Sequence, residues 1–84
     1  MKQVVAVINP FVLKQKVCVY DNEKCIQEID CALSDIEHVC YALCKQNDTP
    51  TLKIKGWESM SDKIQRELNK STEFNDFHIN VETI

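Results

Sequence analysis

An α/β fold with a mixed five-stranded sheet, element order β-β-β-α-β-α-β and strand order 3-2-1-4-5, is predicted by three observations. Short apolar or alternating runs at residues 4–8, 12–20 and 25–29 follow one another with only turn residues between them. Two later segments carry apolar residues at helical spacing. Each of those segments is followed by another short alternating run, and strand–helix–strand units imply right-handed parallel crossovers. The 84 residues make one domain, residues 1–84, with room for a single core.

The first strand is VVAVI, residues 4–8, an apolar and mostly β-branched run that suits a central strand covered on both faces. Asn9-Pro10 ends it, because proline cannot donate to a ladder. The second strand is read over residues 12–20, where Lys14 and Lys16 alternate with Leu13, Gln15 and Val17. YDNEKC, residues 20–25, is a hairpin turn, since Asp and Asn tolerate the left-handed backbone that tight turns require. The third strand, residues 25–29, alternates poorly, with Ile26 and Ile29 three apart, which predicts an edge strand or a bulge.

Ser34 and Glu37 form an S-x-x-E capping box that starts the first helix. Its apolar stripe is Ile36, Val39, Cys40, Leu43 and Cys44, with Tyr41 next to the stripe and open to a core or a surface reading. The helix ends near Gln46, ahead of NDTP, because Pro50 disfavours helix in the residue before it. Leu52 and Ile54 alternate with Lys53 and Lys55 in the fourth strand, and the only glycine, Gly56, follows at a point that calls for positive φ or close backbone approach. Trp57 begins or precedes the second helix, whose stripe is Met60, Ile64 and Leu68. Helical spacing places Trp57 in the core beneath that helix, with an interface anchor as the alternative. NKSTEFND closes the helix, and Phe77, Ile79 and Val81 alternate with His78, Asn80 and Glu82 in a half-buried last strand.

Composition narrows the function classes. Ten basic against 13 acidic residues, interspersed, leave a net charge of -3. Phosphate backbones need a basic surface, and only Lys53 and Lys55 offer a local spot, so nucleic acid is not the favoured partner. Five cysteines, Cys18, Cys25, Cys31, Cys40 and Cys44, form an odd set without an export signal. That pattern predicts reduced thiols and a cytoplasmic setting. No C-x-x-C pair occurs, and Cys40 and Cys44, one helical turn apart, are read as packing residues. No metal ligand set and no cofactor is therefore expected. His38 and Cys40, two apart on one helix, do not face each other as a nucleophile pair would. No apolar run approaches the roughly 20 residues that span a bilayer, so no membrane role is expected.

VVAVINPFVLKQKVCVY resembles the RuvC-type opening of the RNase H-like superfamily, and LKIKG resembles the end of its fourth strand. The element order extends the resemblance over nearly the whole chain. In those nucleases, carboxylates on the first and fourth strands hold divalent metals that activate water. Here Asn9 stands in place of the first acid and Lys55 near the second. The resemblance thus implies an RNase H-like fold without catalysis. Asn-Pro is also a common turn initiator, so Asn9 reads as a lost acid or as an ordinary turn residue.

The small size and Lys/Asn/Ile-leaning composition resemble short bacteriophage accessory proteins. That likeness implies a non-catalytic interaction module, such as an inhibitor of a host defence factor of the anti-CRISPR kind, or a self-assembling accessory protein. The alternative is a degenerate RNase H-like domain that still binds nucleic acid through Lys53 and Lys55. The candidate binding residues are Asn9, Lys53, Lys55 and Trp57, together with Phe77, Ile79, Asn80 and Val81 on an unprotected edge strand open to a protein partner or a second copy. Asn80→Pro, which removes a ladder donor, is the probe of that edge.

Overall fold

In the computed structural model, which describes residues 1–70 and 76–84, five strands form one mixed sheet in the order β3-β2-β1-β4-β5. The elements are β1 (Lys2–Val7), β2 (Lys14–Asp21), β3 (Lys24–Ala32), a 3₁₀ turn (Leu33–Asp35), α1 (Ile36–Gln46), β4 (Thr51–Lys55), α2 (Ser59–Lys70) and β5 (Asn80–Thr83). β1, β2 and β3 form an antiparallel meander, while β4 pairs parallel to β1 and β5 parallel to β4. The predicted strand order and mixed sheet are the observed ones.

Both helices lie on one face. Val4, Ala6, Val17, Val19, Leu52 and Ile54 point from the strands into a core shared with Ile36, Cys40, Leu43 and Cys44 of α1 and Met60, Ile64 and Leu68 of α2. The crossovers β3–α1–β4 and β4–α2–β5 advance in the same direction along the sheet, and two right-handed crossovers of one direction place their helices on one side. Among the described residues no element covers the opposite face. There Val5 is half-buried and Val7 exposed, which corrects the reading of the first strand as covered on both faces. Each large side chain fully buried in this core contributes roughly 1.5–3 kcal/mol.

Turn chemistry follows the sequence closely. Asn22 and Glu23, with φ of 51 and 74, form the two-residue turn between Asp21 and Lys24. Positive φ at both central residues marks a type I′ turn, whose twist matches the flanking strands. α1 closes in a Schellman motif: Asp48 has φ 52, its N–H donates to the Lys45 carbonyl, and the Thr49 N–H donates to the Cys44 carbonyl at 2.9 Å. Gly56 has φ 110, and a Cβ there would lie 2.3 Å from the Ile8 carbonyl oxygen, so both reasons for a glycine hold at once. The irregular third strand is both an edge strand and bulged, with Ile26 left out of the pairing register.

Several boundaries differ from expectation, each for a local reason. The Ser34–Glu37 capping box is not made: residues 33–35 form a 3₁₀ turn and α1 starts at Ile36 without a side-chain cap. β2 starts at Lys14 and not at residue 12, because residues 9–12 close a turn of their own. Tyr41, which the sequence left open, is buried, edge-on to Phe77 at 6.4 Å between ring centres. Trp57 lies outside the core at 37% exposure, two residues before α2. The last strand starts at Asn80, so Phe77 and Ile79 are not strand residues. β4 begins at Thr51, and Pro50 before it has no N–H to extend the ladder. The expected end of α2 reaches residues 71–75, outside the described residues.

Candidate functional site

β1 and β4 run parallel and end level with each other: Val7 pairs with Lys55, and the Ile8 N–H donates to the Lys55 carbonyl at 2.8 Å. Gly56 lets the β4–α2 connection lie against Ile8. The sheet thus brings Asn9, Lys55 and Trp57 to one place, the C-terminal end of its parallel strands, where α/β sheets usually hold ligands. Lys53 sits one pair further in on the open face, opposite Val5 and Glu82. Phe77, Ile79, Asn80 and Val81 lie at or before the start of β5, toward the opposite end.

Asn9 acts as a turn residue in this structure. Its Oδ1 accepts the Phe11 N–H at 3.0 Å, an Asx turn. Its backbone is held by Gln15, whose Oε1 accepts the Asn9 N–H at 2.6 Å and whose Nε2 donates to the carbonyls of Asn9 and Val12 at 2.9 and 3.1 Å. Gln15 is only 2% exposed. Its amide supplies the pairing that a continued hairpin ladder would have given. With its backbone satisfied, the loop turns its side chains outward: Phe11 and Leu13 are each 93% exposed and Val12 50%.

Eight large apolar side chains among the described residues are exposed, and six of them, Val7, Phe11, Val12, Leu13, Trp57 and Ile84, lie at or just beyond the ends of β1, β4 and β5 or in the β1–β2 loop. Lys14, Lys16 and Lys55 bring positive charge to the same end: Val7 pairs with Lys16 on one side and Lys55 on the other, and Lys14 follows Leu13. The sequence reading assigned Val12 and Leu13 to the second strand and Phe11 to no element, and so missed all three. An apolar triplet directly after Asn-Pro was the available signal.

The β5 edge is not bare. Gln65 of α2 reaches over it: its Oε1 accepts the Val81 N–H at 2.9 Å and its Nε2 donates to the Ile79 carbonyl at 3.2 Å. The Ser61 and Thr83 hydroxyls meet at 2.7 Å. The Asn80 N–H points inward, donating to the Pro50 carbonyl at 2.8 Å. An Asn80→Pro change would therefore break the sheet and would not probe an interface.

A cleft of about 470 Å³ lies at the other end of the sheet, bounded by Met1, Gln3, Thr49, Pro50, Lys53 and Glu82. In its lining Lys2 and Lys53 are offset by Asp48 and Glu82, so the side chains give it no strong anionic or cationic preference. Asp76 ties the entry of β5 to α1 by accepting hydrogen bonds from Lys45 and Tyr41. These two bonds, Lys45 first, hold its carboxyl below the usual range. Burial pushes the Cys44 thiol up to about 11 and raises Cys40 as well. Such thiols are inert at neutral pH, in keeping with a packing role. His38 and His78 are exposed, and His78 Nε2 lies 3.1 Å from Asn80 Oδ1. No helix among the described residues is long and apolar enough to cross a membrane. No family model, curated protein or solved structure matches the chain.

Proposed function

We propose that this chain is a non-catalytic interaction module that binds a protein through the apolar end built from the β1–β2 loop, Trp57 and Ile84. The observation that carries the reading is the gathering of six of the eight exposed large apolar side chains at that end. Hydrophobic clusters of this kind on a small domain mark sites of association, and aromatic anchors such as Phe11 and Trp57 are the side chains that dominate binding energy.

The same place supports the absence of catalysis. In the RNase H-like nucleases that the opening stretch resembles, this end carries metal-binding acids. Here it carries Asn9, engaged in its own turn, and Lys55. Hard divalent ions take anionic oxygen ligands, and neither residue supplies one. The likeness to phage accessory proteins makes a bacterial host factor the partner class to test first.

The test compares wild type with a Phe11→Ser/Leu13→Ser double variant as bait in a bacterial lysate. Both residues are 93% exposed, so circular dichroism should be unchanged. Bound proteins identified by mass spectrometry should be captured by wild type and lost by the variant. Equal capture by both baits overturns the reading. Salt-sensitive retardation of nucleic acid that survives in the double variant would instead favour retained nucleic-acid binding. Labelled single- and double-stranded substrates should stay intact with magnesium or manganese.

A further inference from the structure

The open face of the sheet holds a cluster that the apolar end does not involve. In the β2–β3 ladder Cys18 pairs with Glu28, and the register shift between Val19 and Tyr20 leaves Ile26 unpaired, so that Cys25 stands opposite Tyr20. In a regular strand Cys25 and Glu28, three apart, point to opposite faces. The extra residue of the bulge reverses that, as bulges re-aim side chains. As a result Cys18 Sγ, Cys25 Sγ and a Glu28 carboxylate oxygen all lie within 4.8 Å of one another. Cys18 is buried, while Cys25 and Glu28 are exposed, so the cluster has a fixed wall and an open approach.

We propose that Cys18, Cys25 and Glu28 bind a thiophilic divalent cation of the Zn²⁺ class, with water in the fourth position. Two thiolates and one carboxylate form a donor set that suits Zn²⁺ and excludes Mg²⁺ and Ca²⁺, which take oxygen ligands. Tetrahedral bonds of about 2.3 Å to sulfur and about 2.1 Å to oxygen place ligand atoms roughly 3.6–3.8 Å apart. The 4.8 Å bound on the present separations exceeds that range by about 1 Å, a gap within the reach of side-chain rotation. Lys16 Nζ lies 3.0 Å from Glu28 Oε1 and orients the carboxylate from behind, as outer-shell partners of metal ligands do. Tyr20 and Asp30 complete the charged and titratable surroundings on this face. Binding releases the thiol protons and cross-links β3 to β2 at the bulge.

The test titrates reduced, metal-free protein with Co²⁺ under anaerobic conditions. Thiolate-to-cobalt charge-transfer absorption and tetrahedral visible bands are expected, both displaced by Zn²⁺. Cys25→Ser, at an exposed position, should abolish them without loss of fold, and Cys18→Ser should do the same. Glu28→Gln should weaken binding by about tenfold or more, and Cys31→Ser should leave the spectrum unchanged. Zn²⁺ should raise the melting temperature of wild type and not of Cys25→Ser. Absence of the charge-transfer band in folded wild type, or its persistence in Cys25→Ser, overturns the proposal. So does capture of the pair as a Cys18–Cys25 disulfide that forms equally well with saturating Zn²⁺ present.

Discussion

The two edges of the sheet are protected in different ways. At the β5 edge a side chain does the work of a strand: the Gln65 amide pairs with both the Val81 N–H and the Ile79 carbonyl. Among the described residues the edge formed by β3 gains no such cover from a helix, although it is the longest strand at 9 residues. Its defences are the bulge at Ile26, the Lys16–Glu28 ion pair and the charges Lys24, Glu28 and Asp30, which are devices that discourage strand addition. The contrast follows from topology. α2 delivers the chain to β5 and so lies beside it, whereas α1 leaves β3 and crosses to β4. A helix can protect the edge it leads into.

The largest effect expected is that of Asn80→Pro. It removes the bond to the Pro50 carbonyl inside the sheet and should cost about 2–3 kcal/mol in denaturant unfolding. An unchanged midpoint would mean that β5 does not contribute to the fold. Gln65→Ala tests the comparison directly. It leaves the Val81 N–H and the Ile79 carbonyl without their partner and should cost about 1–2 kcal/mol, with concentration-dependent self-association in ultracentrifugation as the opened edge pairs. Gln27→Ala on exposed β3 should stay within about 0.5 kcal/mol. Equal effects of the two glutamine changes would abolish the distinction between the edges.

On the β3 side, Glu23→Gly should stabilise. Glu23 holds φ 74 in the hairpin turn, a conformation that costs a side chain about 1–2 kcal/mol and glycine little. Allowing for the greater freedom of glycine in the unfolded chain, a gain of about 0.5–1 kcal/mol is expected by thermal unfolding. The smallest effect is acid sensitivity at the entry to β5. The Asp76 carboxyl is held below its usual range by Lys45 and Tyr41, so its contribution is present above the unfolded value near about pH 4 and is lost as pH falls through the folded one. Asp76→Asn should remove that part of the acid limb of stability against pH and leave the neutral region parallel to wild type.

Local rules carried most of the fold. The hairpin turn within YDNEKC, the close approach at Gly56 and the helix stop ahead of Pro50 are all backbone problems that one or two residues solve, although the second left-handed position falls on Glu23 and not on Asp21. For that reason they were legible without neighbours. The candidate site was legible only in part. Asn9, Lys55 and Trp57 meet at one sheet end because β1 and β4 pair in parallel, which the element order implied. The exposure of Val12 and Leu13 beside Phe11 was not legible, because an apolar pair that opens an alternating run reads as strand unless another group satisfies its backbone. That group is Gln15, a polar residue buried in the hairpin.

The sequence by itself determined the element order, the apolar stripes of both helices, the place of the hairpin turn and the strand order, since periodicity and φ preferences act over a few residues. Tertiary structure alone decided which face of the sheet would lie open, which edge would be covered and which distant polar groups would meet. Gln65 reaches β5 from across the α2 face, and the bulge at Ile26 turns Cys25 toward Cys18 and Glu28. Both depend on register between strands or on helix placement, and a one-residue change of register reverses the facing of a side chain.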